Sequence, residues 1–207
     1  MIIGITGLAR SGKNTTADVI QALLPRVAVT KLSFAAPIYD MIRASGMFNN
    51  AADPFGKGKS IVFKKLGVSP RQALQTLGTE WGREMISENL WRDLTLEKCV
   101  DPKMLYIITD VRFRNEAEEI QERGGVIWRI KTPEEHLGWW KNLWRLVQGP
   151  VWRRHKSEIE VMLIDPDWVI TNEHLGVPRY ARVIGDVLRQ QPFLIDHQIL
   201  PELPKNG

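Results

Sequence analysis

The chain has 207 residues, of which 43% are apolar, and its 28 Lys and Arg outweigh 24 Asp and Glu for a net charge of +4. That balance suits one α/β domain with a sizeable core and room for a small inserted subdomain, and it excludes disorder over most of the chain. A single cysteine, Cys99, excludes an internal disulfide framework and a cysteine-rich zinc site, and fits a reducing cytoplasm. No uncharged apolar run is long enough to span a bilayer. Met1 leads straight into an apolar stretch, so no secretory leader is expected. The positive balance fits either nucleic acid or a phosphate-rich small substrate.

Residues 1–6, Met-Ile-Ile-Gly-Ile-Thr, read as a buried strand. Gly7-Leu8-Ala9-Arg10-Ser11-Gly12-Lys13-Asn14-Thr15-Thr16 follows, and residues 17–24 carry the spacing of an amphipathic helix. Strand, glycine-rich loop, lysine and helix form the layout of a phosphate-binding P-loop. Glycines let the backbone N–H groups curl around an anion, and the helix adds its positive end. Lys13 supplies a mobile charge for the outer phosphates. The position that normally offers Ser or Thr to magnesium holds Asn14, whose amide oxygen is an alternative donor, and Thr15 is placed for an inner phosphate oxygen. A nucleoside triphosphate, ATP with Mg2+, is therefore the first ligand to expect, with Ala9, Arg10, Ser11, Gly12, Lys13, Asn14, Thr15 and Thr16 around it.

Residues 27–34 read as a second strand, and a helix begins near Ala36, with Pro37 tolerated in its first turn. Residues 46–70 read as a loop with a short helix. From Pro70 onward Leu74, Leu77, Trp81 and Met85 recur at helical spacing, and Ser87 is a cap for a further helix with Leu90, Trp91 and Leu94. Residues 105–110 form an apolar third strand of the kind buried on both faces. A charged helix over 114–123 stops at Gly124-Gly125, a fourth strand spans 126–130, a fifth 168–171, and a last helix 179–188. Strands alternating with helices imply a parallel sheet covered on both faces, with ligands beyond the carboxyl ends of its strands. The P-loop, Asp110 to Arg114 and Asn172 all fall at such ends.

Asp110 ends an apolar strand, where a P-loop enzyme keeps the carboxylate that holds magnesium or its water shell. The alternative is a helix cap. Arg112 and Arg114 follow it, suited to a phosphate beside a metal or simply solvated. Arg71 opens the helix bearing Gly78 and Thr79, with Arg83 one turn beyond and Trp91 one helix later. Arginine clamps a monophosphate in bidentate fashion, and Trp91 is either a base platform or a core residue. Residues 139–157 hold no acid; Lys141, Arg145, Arg153, Arg154 and Lys156 alternate with Trp139, Trp140, Trp144 and Trp152. A lid, a nucleic-acid surface and a membrane surface all fit that pattern, and a lid is the simplest beside a P-loop. His155 has no second histidine nearby, which argues against a metal site there.

These segments resemble the deoxynucleoside monophosphate kinases of tailed bacteriophages. The resemblance rests on 7–18 (GLARSGKNTTAD), 32–40 (LSFAAPIYD), 71–80 (RQALQTLGTE) with Trp91, Thr109-Asp110-Val111-Arg112, His155-Lys156-Ser157-Glu158 and Val169-Ile170-Thr171-Asn172. It runs in order over residues 1–172. It implies a P-loop kinase-like three-layer α/β/α fold with a five-stranded parallel sheet: a core of 1–36 and 104–207, a monophosphate-binding region of 37–103, and a lid of 136–158. It also implies ATP-dependent phosphorylation of a deoxynucleoside monophosphate, often by a dimer, in the host cytoplasm, with no nucleic-acid or membrane partner.

On that reading Lys13, Asp110, Arg112, Arg153 and Arg154 take part in transfer, and Asn14, Thr15 and Asp110 face the metal. Arg71, Gly78, Thr79, Arg83, Trp91, Asp110 and Arg112 face the acceptor, and Asn172 joins the nucleotide contacts. The rivals are another small-molecule kinase on this fold and a nucleic-acid-binding P-loop ATPase.

Overall fold

The computed structural model describes residues 1–49, 53–133, 156–174 and 176–196. Its elements run β1 (Ile2–Thr6), α1 (Lys13–Leu23), β2 (Val29–Leu32), α2 (Ala36–Ala44), a 3-10 turn (Lys57–Ser60), α3 (Pro70–Thr76), a π-helix (Leu77–Ile86) and α4 (Leu90–Leu96). They continue with β3 (Leu105–Ile108), α5 (Arg114–Glu122), β4 (Val126–Lys131), α6 (Lys156–Leu163), β5 (Trp168–Thr171), α7 (Val177–Leu188) and α8 (Pro192–Asp196). The chain divides into two compact units, residues 1–32 with 101–207, and residues 33–100.

In the first unit the described residues form one five-stranded sheet in the order β2-β3-β1-β4-β5. Every pairing is parallel. The expected architecture is thus borne out. Side chains alternate across a strand, so Ile3 and Ile5 point to one face and Gly4 to the other. Ile3, Ile5, Trp128 and Ile130 pack with Ala17, Ile20 and Leu23 of α1 and with Tyr180, Ala181, Ile184 and Leu188 of α7. On the opposite face the bare Gly4 leaves room for Ile127, Val111 and Ile120 of α5. All four residues of β3 are buried, as its unbroken apolar run requires.

The register Thr6↔Arg129 and Lys131↔Thr171 brings the carboxyl ends of the strands to one edge of the sheet. At the β4–β5 side, Asp167 Oδ2 accepts from Ile127 N at 2.7 Å and Gln121 Nε2 at 3.0 Å. Arg129 Nη2 donates to the carbonyls of Val161 and Ile164 and so holds the end of α6.

The second unit is helical. Ser69 caps α3 by accepting from Gln72 N at 3.2 Å, and Pro70 starts the helix where its missing N–H is harmless. The helix expected from Pro70 then widens into the π-helix. That extra residue per turn breaks the expected stripe: Trp81 is half-buried, but Met85 is 75% exposed. Leu94 also lies on the surface, and α4 is anchored by Trp91, Thr95 and Leu96 instead. On α2, Tyr39 meets Phe55 edge-on at 5.3 Å, and Lys59 Nζ donates to the Tyr39 hydroxyl at 2.7 Å.

Candidate phosphate-binding site

β1 ends at Thr6 and α1 begins at Lys13, so residues 7–12 form the loop the motif predicts. Gly7 takes φ +144 with the carbonyl of Ile130 directly beneath it, where a Cβ would collide. Gly12 takes φ +98, and the amide of Asn172 fills the place of its missing side chain. Arg10 takes φ +66, a strained value for a residue with a Cβ, and its side chain is exposed. Gly12 offers no side-chain cap to α1, so the first-turn N–H groups are left for a ligand.

Lys13 folds back across the loop, its Nζ donating to Gly7 O at 2.8 Å and Leu8 O at 2.7 Å. That fixes an ammonium beside the backbone groups expected to face phosphate. Asn14 and Thr15 are exposed on the first turn, while Ser11 is buried with a hydroxyl that has no hydrogen-bonding partner among the described residues.

Thr16 departs from its expected role in touching nucleotide. It is fully buried, its Oγ1 donating to Gly12 O at 3.0 Å and lying 2.7 Å from Tyr180 Oη. Asn172, at the end of β5, also lies under the loop, donating from Nδ2 to Ser11 O at 3.2 Å and accepting from His174 N at 3.2 Å. Burial pushes the Tyr180 phenol above its ordinary value. The neutral phenol is thus the form the fold accommodates. Its contribution is complete below pH about 10 and is lost as pH rises through the raised value. Alkaline unfolding of the wild type is therefore expected to steepen above pH about 10, and Tyr180→Phe to lose that component; urea titrations from pH 8 to 11 measure it.

Asp110 is half-buried in the turn after β3, and the N–H of Val111 beside it reaches Ile5 O at 3.2 Å, fixing this turn against β1. The N–H groups of Arg112 and Phe113 go to Glu116 Oε2 at 2.8 and 3.1 Å, so Glu116, a buried carboxylate, caps α5. Sequence reading missed this role. The Arg112 side chain is exposed with no partner among the described residues. Arg114 is instead engaged on the helix surface with Glu118 at 2.7 Å.

In the second unit Arg71 is exposed on the first turn of α3, without a partner among the described residues. Thr79 and Arg83 lie on the π-helix, and Arg83 Nη1 donates to Glu88 O at 2.9 Å. Trp91 takes the core position of its two readings. It is 2% exposed, its Nε1 donates to Gly78 O at 2.7 Å, and its ring fills the space over Gly82. Gly78 is correspondingly a packing glycine, close against Ile38. Arg153 and Arg154, with most of the expected lid, lie outside the described residues; Lys156-Ser157-Glu158 open α6.

The chain is 44% identical over 59 residues to the deoxynucleoside-5'-monophosphate kinase of Escherichia phage T5, across 28% of this chain and 23% of that enzyme. It is 28% identical over 151 residues to the mimivirus protein named "Putative deoxynucleotide monophosphate kinase", across 64% of this chain and 75% of that one. The resemblance carried by the motifs is borne out in these viral relatives. The match spans less than a quarter of the phage enzyme. No family model matches the chain. Among solved structures, shikimate kinase from Aquifex aeolicus and dephospho-CoA kinase from Campylobacter jejuni each align at TM-score 0.47 and 16% identity. Each alignment covers 91% of this chain and 96% of theirs. No described helix is long and apolar enough to cross a membrane.

Proposed function

We propose that this chain transfers the γ-phosphoryl group of ATP to a deoxynucleoside monophosphate, giving ADP and the diphosphate. The observation that carries the reading is the Lys13 ammonium, fixed over a strand–loop–helix whose uncapped first turn faces outward, in a chain whose sequence relatives bear that kinase name.

In-line transfer asks little covalent chemistry of the protein: an acceptor phosphate oxygen bonds to the γ-phosphorus as its bond to the β-bridging oxygen breaks. The loop N–H groups and Lys13 hold the β- and γ-phosphates and meet the charge that develops on them. Thr15 faces the α-phosphate. Arg112, in the segment after β3, and Arg71, on α3, are each exposed and carry guanidiniums suited to phosphate oxygens, and Thr79 and Arg83 are the further acceptor contacts of this reading.

Magnesium fits the donors present. Asn14, Thr15 and Asp110 offer an amide oxygen, a hydroxyl and one carboxylate, and no cluster of three or more His, Cys, Asp or Glu able to hold a metal alone exists among the described residues. Such a sparse oxygen set leaves coordination to phosphate and water, as magnesium prefers. When bound, the ion neutralises phosphate charge.

A panel of dNMPs, rNMPs and nucleosides with ATP, read as ADP formed, tests the reading. Turnover is expected with one or more dNMPs and to be at least about 10-fold lower with nucleosides, because the acceptor-side arginines need a phosphate. Turnover with a nucleoside alone overturns it.

A further inference from the structure

We infer that Tyr180 and Asn172 are positioning residues for the phosphate loop, setting the direction of its amides from behind without touching nucleotide. The inference rests on the P-loop reading above.

A trans peptide is planar, so its C=O and the next residue's N–H point in opposite directions. Fixing a carbonyl therefore aims an amide. Asn172 Nδ2 holds Ser11 O at 3.2 Å, and this turns the N–H of Gly12 the other way. Thr16 Oγ1 holds Gly12 O at 3.0 Å, which likewise turns the N–H of Lys13. The single Thr16 proton is committed to Gly12 O, so across the 2.7 Å contact Tyr180 is the donor. The relay runs from the Tyr180 phenol through the Thr16 hydroxyl to the Gly12 carbonyl.

All three side chains are buried: Thr16 is inaccessible, Tyr180 is 6% exposed and Asn172 8%. The glycine at 12 is what admits Asn172, since a Cβ there would occupy the position of its amide nitrogen. Gly12 itself gives α1 no side-chain cap. The β5–α7 segment, which carries both residues, thus restrains from below a loop that is open above. Preoriented dipoles need no rearrangement when charge arrives, and electrostatic catalysis depends on that property.

The test compares Tyr180→Phe and Asn172→Ala with a control, Ile184→Val, which trims the buried face of α7 without reaching the loop. Steady-state kinetics and calorimetric titration with ATP and with pyrophosphate are the readouts, beside thermal midpoints. Each loop variant is expected to bind ATP and pyrophosphate about five-fold more weakly, the loss of one net hydrogen bond, with the KM for the dNMP unchanged. Ile184→Val is expected to lower the thermal midpoint and leave ATP affinity at the wild-type value.

Retention of wild-type affinity by Tyr180→Phe, or equal weakening by Ile184→Val, overturns the proposal and leaves the functional reading standing. Wild-type protein that binds neither ATP nor pyrophosphate overturns that reading, and this inference with it. Should Asn172→Ala fail to fold, Tyr180→Phe carries the test, because it removes one oxygen atom and no packing.

Discussion

Replacing Lys13 with alanine is expected to leave a folded protein whose phosphoryl transfer is about 100- to 1,000-fold slower, the scale of losing one preorganised charge contact in a transition state. The fold should survive for reasons visible at the site. Lys13 is half-buried at the first position of α1, and its ammonium bonds two loop carbonyls rather than members of the sheet ladder. Its stem is not part of the apolar cluster that joins α1 to the sheet. Alanine is also the best helix former, so the helix itself loses nothing. Transfer should suffer because no neighbouring cation in the loop takes its place: Arg10 points outward on a strained turn. The measurement is kcat/KM with ATP and the preferred dNMP, beside far-UV circular dichroism and a thermal midpoint. A folded Lys13→Ala enzyme with wild-type turnover sinks the kinase assignment.

The parts of the molecule that follow period and punctuation were legible before any coordinates. The all-apolar residues 105–108 could hardly lie anywhere but inside a parallel sheet, and the Gly7-to-Lys13 spacing placed the loop between β1 and α1. What remained hidden depends on contacts between residues distant in sequence. Thr16 reads as another loop hydroxyl until α7 brings Tyr180 against it, 164 positions later. Asn172 is legible as a residue at a strand end, but its contact under Gly12 is set by the register of β4 and β5. In the helical unit one expectation fails. A 3.6-residue period does not hold through a segment that winds as a π-helix, so Met85 falls on the surface instead of in the stripe with Leu74, Leu77 and Trp81. Nothing in local composition announces that wider turn. Its glycines, 78 and 82, were the available signal, since bare positions four apart along one helix face invite a large ring.

Trp91→Ala is expected to cost about 3–5 kcal/mol of stability, the range for deleting a buried aromatic. Its ring covers Gly82 and tilts against Trp81 at 6.1 Å, and little else in the helical unit has comparable volume at 2% exposure. The indole N–H adds a second loss. Trp91 Nε1 donates to Gly78 O of the π-helix at 2.7 Å. Alanine removes that bond, a further loss of about 0.5–1.5 kcal/mol. Trp91→Phe keeps most of the ring and isolates the hydrogen-bond part, so it should cost less than alanine. The two variants also separate a core tryptophan from a base platform. A platform residue would leave the unfolding midpoint near wild type and raise only the KM for the dNMP. A core residue lowers the midpoint first, and ATP affinity stays unchanged because the P-loop rests on the separate core formed by α1, α7 and the sheet. Urea unfolding followed by circular dichroism, paired with ATP titration of the folded variant, reads both quantities. A Trp91→Ala protein as stable as wild type would return the residue to the ligand surface.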